Sequence, residues 1–154
     1  GSSLNQGKPT IFLSGELTNA QAAAQIAEQF GTNTENVIIE GTSQLTSVDL
    51  SMVTKLLNVQ IEDNEDLVEV NLGNLTQVYR DFTVSSNPAL THINLDAYTK
   101  TGKSFDIQGN AALLDVSLPA LAEIGTKSFF SNVEHFCVEN RCIGILAGLA
   151  IDIG

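Results

Sequence analysis

The chain has 154 residues, the size of one ordinary domain, with 43% hydrophobic and 16% charged residues. It is therefore large enough to fold around its own core, and too apolar for disorder. Eighteen acidic against seven basic residues leave a net charge of −11, which sets aside nucleic acid and anionic membrane surfaces, both bound through clustered Lys and Arg. No run approaches the roughly 18 apolar residues of a membrane span. The nearest, Ile143 to Ile153, is interrupted by small residues and Asp152. It reads as a buried terminal strand or cap, with pairing to further chain as the alternative.

The opening Gly1-Ser2-Ser3 reads as a cloning remnant, so residues 1–10 are expected to be remnant and leader. Ile11-Phe12-Leu13 then looks like a first strand. Thr18 followed by Gln21 makes a capping box and predicts a helix over 19–30, with Gly31 as its C′ residue. Ala23, Ile26, Ala27 and Phe30 would share its apolar face. Residues 11–36 thus form an N-terminal strand and a helix that lids the next unit, hiding a strand edge.

From Val37 onward the chain repeats in steps of 22, 23 and 23. Val37, Val59, Phe82 and Phe105 form one column, and Ile39, Ile61, Val84 and Ile107 a second. Leu45 leads to Leu67, Leu90 and Leu113; Val48 to Val70, Ile93 and Val116. Leu50 leads to Leu72, Leu95 and Leu118; Val53 to Leu75, Tyr98 and Leu121. Within each copy the apolar period is two, as in Phe82-Thr83-Val84-Ser85, which predicts two short strands per copy. One column is polar: Thr42, Asn64, Asn87 and Asn110. Stacked at one corner, these Asn side chains would form a ladder that satisfies buried peptide groups. A single copy cannot bury itself, so the copies must stack. The solenoid is predicted over 37–136, its degenerate fifth copy carrying Phe129, Phe130, Val133 and Phe136.

Cys137 and Cys142 flank Val-Glu-Asn-Arg. A tight turn at Glu139-Asn140 would set the thiols opposite each other in a hairpin cap over 137–154. A disulfide there would contribute roughly 2 kcal/mol and imply an oxidising compartment. Two reduced core thiols are the alternative. A zinc site is disfavoured, because this pair with His135 falls short of four ligands.

Three copies follow Φ-x-Φ-x-x-Asn-x-x-Leu-x-x-Φ-x-Leu, as Phe82 to Leu95 (FTVSSNPALTHINL) illustrates. This pattern resembles the receptor L domain and is similar to irregular bacterial leucine-rich repeats, over roughly 37–136. The resemblance implies a right-handed parallel β-solenoid of four to five coils, extracellular recognition or surface architecture, and no catalytic residues. The matching columns are core columns, so no ligand-contacting residue is carried over. One cysteine pair also departs from the cysteine-rich flanks of receptor L domains.

Once the coils stack, outward residues stack too. Ser47, Glu69, His92 and Asp115 would form one row, with Asp49, Asn71, Asn94 and Ser117 beside it. Glu69, Asn71, His92, Asn94 and Asp115 are the candidate binding residues of this outward ladder. A flat, exposed ladder suits a solvated face or a contact surface better than acid–base catalysis, which needs an enclosed, positioned site. The other face would present Glu40, Glu62, Ser85 and Gln108 beside Gln60, Thr83 and Asp106, with an acidic corner at Glu62, Asp63, Glu65 and Asp66. Arg80 and Lys103 would mark a corner before the first strand, with Lys127 one residue late. Thr32-x-Thr34 and Thr99-x-Thr101 are expected in turns outside the ladder. No nucleophile elbow, P-loop, dinucleotide fingerprint or zinc-protease motif occurs. The expectation is one domain without cofactor or metal. It would be a secreted or cell-surface recognition module whose partner is protein or glycan, not inserted in a membrane and of open oligomeric state. A structural or adhesive segment of a larger surface protein is the alternative.

Overall fold

The computed structural model describes residues 6–125, 127–130, 135–138, 141–144 and 150–151. Gly1–Ser3, Val133 and the expected turn at Glu139–Asn140 lie outside the described residues. The chain is mainly β, a parallel solenoid wound in coils of three strands, one on each side, and the described strands pair in four sheets. A first half-coil holds β1 (Thr10–Glu16) and the helix α1 (Asn19–Gln29). The next coil contributes β2 (Asn36–Ser43), β3 (Ser47–Asp49) and β4 (Lys55–Leu56). It is followed by β5 (Asn58–Glu62), β6 (Glu69–Asn71) and β7 (Gln77–Val78), then by β8 (Phe82–Ser85), β9 (His92–Asn94) and β10 (Lys100–Thr101). A fourth set is β11 (Ser104–Gln108), β12 (Asp115–Leu118) and β13 (Glu123–Ile124). Then come β14 (Lys127–Phe130), β15 (His135–Val138), β16 (Arg141–Gly144) and β17 (Ala150–Ile151).

The repeat steps of the sequence are the pairing register of the sheets. Val37 lies beside Val59, Val59 beside Phe82 and Phe82 beside Phe105, all in parallel pairs. All six apolar columns face inward and are buried, forming one hydrophobic cluster. Phe82 and Phe105 stack at 4.7 Å with rings 11° apart, and Tyr98 tilts against both. At another corner Val53, Leu75, Tyr98 and Leu121 each donate their N–H to the carbonyl three residues earlier, repeating one tight turn in four coils.

Two strands per coil were expected and three are present. The third strand is two residues long, with Leu56, Val78, Thr101 and Ile124 buried on it. Thr101 is therefore not in an outlying turn: it lies in β10, fully buried, its hydroxyl bonded to the Tyr98 hydroxyl. Thr99 also belongs to the stack, its Oγ1 donating to the Thr76 carbonyl at 2.7 Å, as Thr76 Oγ1 does to Thr54 at 2.9 Å.

The Asn ladder forms as the column predicts. Asn64, Asn87 and Asn110 are fully buried. Asn64 Nδ2 donates to the Ile39 carbonyl (3.0 Å) and to Asn87 Oδ1 (2.9 Å); Asn87 Nδ2 donates to the Ile61 carbonyl and to Asn110 Oδ1, both at 3.0 Å. Asn110 Nδ2 reaches the Val84 carbonyl at 2.9 Å. Thr42 ends the ladder by donating N–H and Oγ1 to Asn64 Oδ1. The residue before each rung is left-handed: Gly41, Asp63, Ser86 and Gly109 have φ of 61°, 58°, 56° and 67°. That conformation bends the chain out of the first sheet and turns the next side chain inward.

α1 has the expected capping box, Thr18 accepting from the Gln21 N–H and Gln21 from the Thr18 N–H. Its buried face is shifted from the expected one. Ala22 and Ile26 are buried, with Phe30 packed against the core, whereas Ala23 and Ala27 are exposed. The helix lies on the stack through a narrow i, i+4 stripe, and alanines mark that stripe poorly. Gly31 is needed for close approach rather than for a left-handed cap, since a Cβ there would meet the Gln6 and Gly7 backbone at 2.2 Å. The segment read as leader is tied down from Gln6: Asn33 N–H donates to the Gln6 carbonyl and Lys8 N–H to Gln29.

Candidate functional site

β3, β6 and β9 bury their central residues, Val48, Val70 and Ile93. The flanking residues therefore point outward, Ser47, Glu69 and His92 in one row and Asp49, Asn71 and Asn94 in the other. Neighbouring rungs are about 4.8 Å apart. The face was expected to be flat. Instead the rows stand on either side of the strand centres and line an open trough of about 370 Å³ with Val48 and Val70.

The two rows do different work. Asp49, Asn71 and Asn94 each accept, through Oδ1, the N–H two residues on, from Ser51, Gly73 and Asp96 at 3.0, 2.9 and 3.0 Å. They shape the turn that follows each strand. Asn71 Nδ2 also reaches Asp49 Oδ1 at 3.3 Å. In the first row Ser47 Oγ donates to Glu69 Oε1 at 3.2 Å, and Glu69 lies directly beside His92 in the parallel register.

Asp115 does not continue this row in one hydrogen-bonded sheet. The β3-β6-β9 sheet stops at β9, and β12 pairs with β15 in a separate sheet. In the lower coils the strand entry is tied by an N–H to the coil below, from Val68 to Thr46 and from Thr91 to Val68. Leu114, at the same position, makes no such bond to Thr91 among the described residues. Glu69 and His92 thus pair in one sheet, and Asp115 lies one coil further, on β12, which contacts β9 without a ladder pairing to it.

The outer face of the seven-stranded sheet carries the other expected rows in register, Glu40 beside Glu62, Ser85 and Gln108, and Gln60 beside Thr83 and Asp106. It also carries a polar ladder that the column reading missed. Asn36 Nδ2 donates to Thr10 Oγ1 (3.4 Å), Asn58 Nδ2 to Asn36 Oδ1 (3.0 Å), Asp81 N–H to Asn58 Oδ1 (3.3 Å) and Ser104 N–H to Asp81 Oδ1 (3.2 Å). The same 22, 23 and 23 steps connect Asn36, Asn58, Asp81 and Ser104 in the sequence, so the signal was available. These four residues help line an open groove of about 490 Å³.

At the acidic corner Asp66 accepts the Gln44 N–H at 2.8 Å. No group of three or more His, Cys, Asp or Glu able to hold a metal ion occurs among the described residues. On the third sheet Lys100 pairs with Glu123 at 3.2 Å, exposed and worth little. Burial pushes the Tyr98 phenol upward, partly opposed by its bond to Thr101.

Fold and rows together define a three-sided parallel β-solenoid with polar side chains aligned along its axis. No family model, no curated protein and no solved structure matches the chain.

Proposed function

We propose that this chain is a secreted or cell-surface recognition module, without catalytic activity, that binds protein or glycan through the face built by β3, β6 and β9. The observation that carries the reading is the trough between the Ser47–Glu69–His92 and Asp49–Asn71–Asn94 rows. Carboxylate, imidazole, hydroxyl and amide groups repeat there at coil spacing along an open face, an arrangement suited to an extended partner rich in hydrogen-bonding groups. An open trough does not exclude water from a reacting bond, which favours binding over chemistry. The resemblance to receptor L domains and irregular leucine-rich repeats supports the same reading through the Leu and Asn columns.

The oxidising location rests on the cysteines. Cys137 stands directly opposite Cys142 in the antiparallel β15–β16 pair, a cross-strand placement compatible with a disulfide.

The test is a glycan array and a surface-protein pulldown with the wild type and with Glu69→Ala/His92→Ala. A partner retained by the wild type and lost from a variant of unchanged melting temperature supports the proposal. Binding that survives in the variant moves the site elsewhere. Screens that stay empty point to a structural or adhesive segment, and a hydrolase or lyase activity that the variant loses would overturn the non-catalytic reading.

A further inference from the structure

We infer that α1 is a guard on the N-terminal strand edges, and that the surface it covers is a latent interface for a second copy of this chain. The inference is independent of what the trough binds. β1, β3 and β4 are the outermost strands of their sheets at this end. An outermost strand offers unpaired N–H and C=O groups to any other strand. Here each edge is met by something other than a strand.

On β1, Phe12 N–H donates to Gln29 Oε1 at 2.6 Å, and Gln29 Nε2 donates back to the Phe12 carbonyl at 3.3 Å. A side-chain amide carries the same donor and acceptor as a peptide group, so Gln29 occupies the place of one residue of a neighbouring strand. At the entry to β3, Asn19 Oδ1 accepts from Thr46 N–H (2.9 Å) and Ser47 N–H (3.3 Å), while its Nδ2 donates to Thr46 Oγ1 (2.9 Å). Just past β4, the Glu35 carbonyl accepts from Leu57 N–H at 2.6 Å and Asn58 N–H at 3.4 Å. Asn19 and Gln29 sit at opposite ends of α1, about 15 Å apart along its axis, so one helix reaches two sheets.

The other end is built differently. β17 lies antiparallel on β14, and β16 antiparallel on β15. Two of the sheets at that end finish in antiparallel strands, and β13 is outermost in the other, whereas two amide side chains and a loop carbonyl meet the edges at this one. Removing the amides frees the Phe12 and Thr46–Ser47 backbone groups while α1 stays packed through Ala22 and Ile26. Two identical β1 edges can pair about a two-fold axis, antiparallel, which satisfies both and leaves nothing further to add. The exposed Phe12 of each copy would join that contact. The product is a closed dimer rather than a fibre.

The test is light scattering on size-exclusion fractions over rising concentration, with hydrogen exchange at Phe12. The wild type is expected to be monomeric, with Phe12 protected. Asn19→Ala/Gln29→Ala is expected to form a concentration-dependent dimer. Asn19→Ala/Gln29→Glu is expected to stay monomeric, because the carboxylate still accepts the Phe12 N–H and places charge on the edge. If the double alanine variant loses its β-sheet spectrum, Gln29→Ala alone carries the same comparison. A folded alanine variant that stays monomeric at every concentration overturns the inference. So does a wild type already paired through β1, equal dimerisation of the Glu variant, or growth into longer oligomers.

Discussion

At the scale of single residues, the bend before each Asn rung is the most exacting position in the coil. Four residues there share a left-handed backbone, but only two are glycine. A residue with a Cβ in that conformation carries a strain of roughly 1 kcal/mol. Ser86→Gly is therefore expected to raise stability by about 0.5 kcal/mol, the strain relieved less the extra chain entropy of glycine. Gly109→Ala is expected to lower it by about 1 kcal/mol, since the added Cβ finds ordinary space, 3.6 Å from its nearest neighbour, but not a favourable φ. Urea titration of both variants checks the pair. Tyr98 supplies a second test. Its buried neutral phenol has a pKa raised above the ordinary 10. Its contribution is thus complete below pH 10 and is lost progressively as the pH rises beyond it, because only the unfolded chain ionises readily there. Stability measured from pH 9 upward should fall more steeply in the wild type than in Tyr98→Phe/Thr101→Val, which removes both hydroxyls together and leaves neither unpaired.

At the scale of elements, the division between what the sequence discloses and what it conceals follows strand length. The first two strands of each coil alternate over enough positions for six apolar columns to stand out. The third strand has one inward position, filled by Leu56, Val78, Thr101 and Ile124, and two residues cannot display an alternation. Thr101 disguises that column further, since its burial depends on a hydroxyl partner supplied by Tyr98. The helix face was misplaced because Gln29, a polar residue, serves the strand edge while two alanines face solvent. The pairing of Glu69 with His92 and of Asn71 with Asn94 was legible, because equal spacing fixes parallel register. The division of β12 from the β3-β6-β9 sheet was not, because equal spacing does not say whether the backbone ladder continues from coil to coil. For β15 and β16, the opposed Cys137 and Cys142 predict a bridge: reduction should add two hydrogens to the mass. The loss should cost roughly 2 kcal/mol in a chemical denaturation compared with and without reductant.

At the scale of the whole molecule, stability resides in contacts between successive coils, so damage to a middle rung reaches both neighbours. Asn87→Ala would take from the Ile61 carbonyl its Asn87 donor, from Asn110 Oδ1 one of its two donors, and from the Asn64 N–H and Nδ2 the oxygen to which both donate, all inside the core. A loss of roughly 3 kcal/mol or more is expected on the desolvation of those groups. Asn87→Asp should do no better, because it restores an acceptor where donors are required; equilibrium unfolding in urea decides both.

The constant register has one more consequence. Side-chain size sets the girth of the rod, whereas the number of windings sets its length, and the two vary independently. A partner lying in the trough would be gauged as well as grasped, since how many of its units find a counterpart is fixed by how many windings the chain supplies.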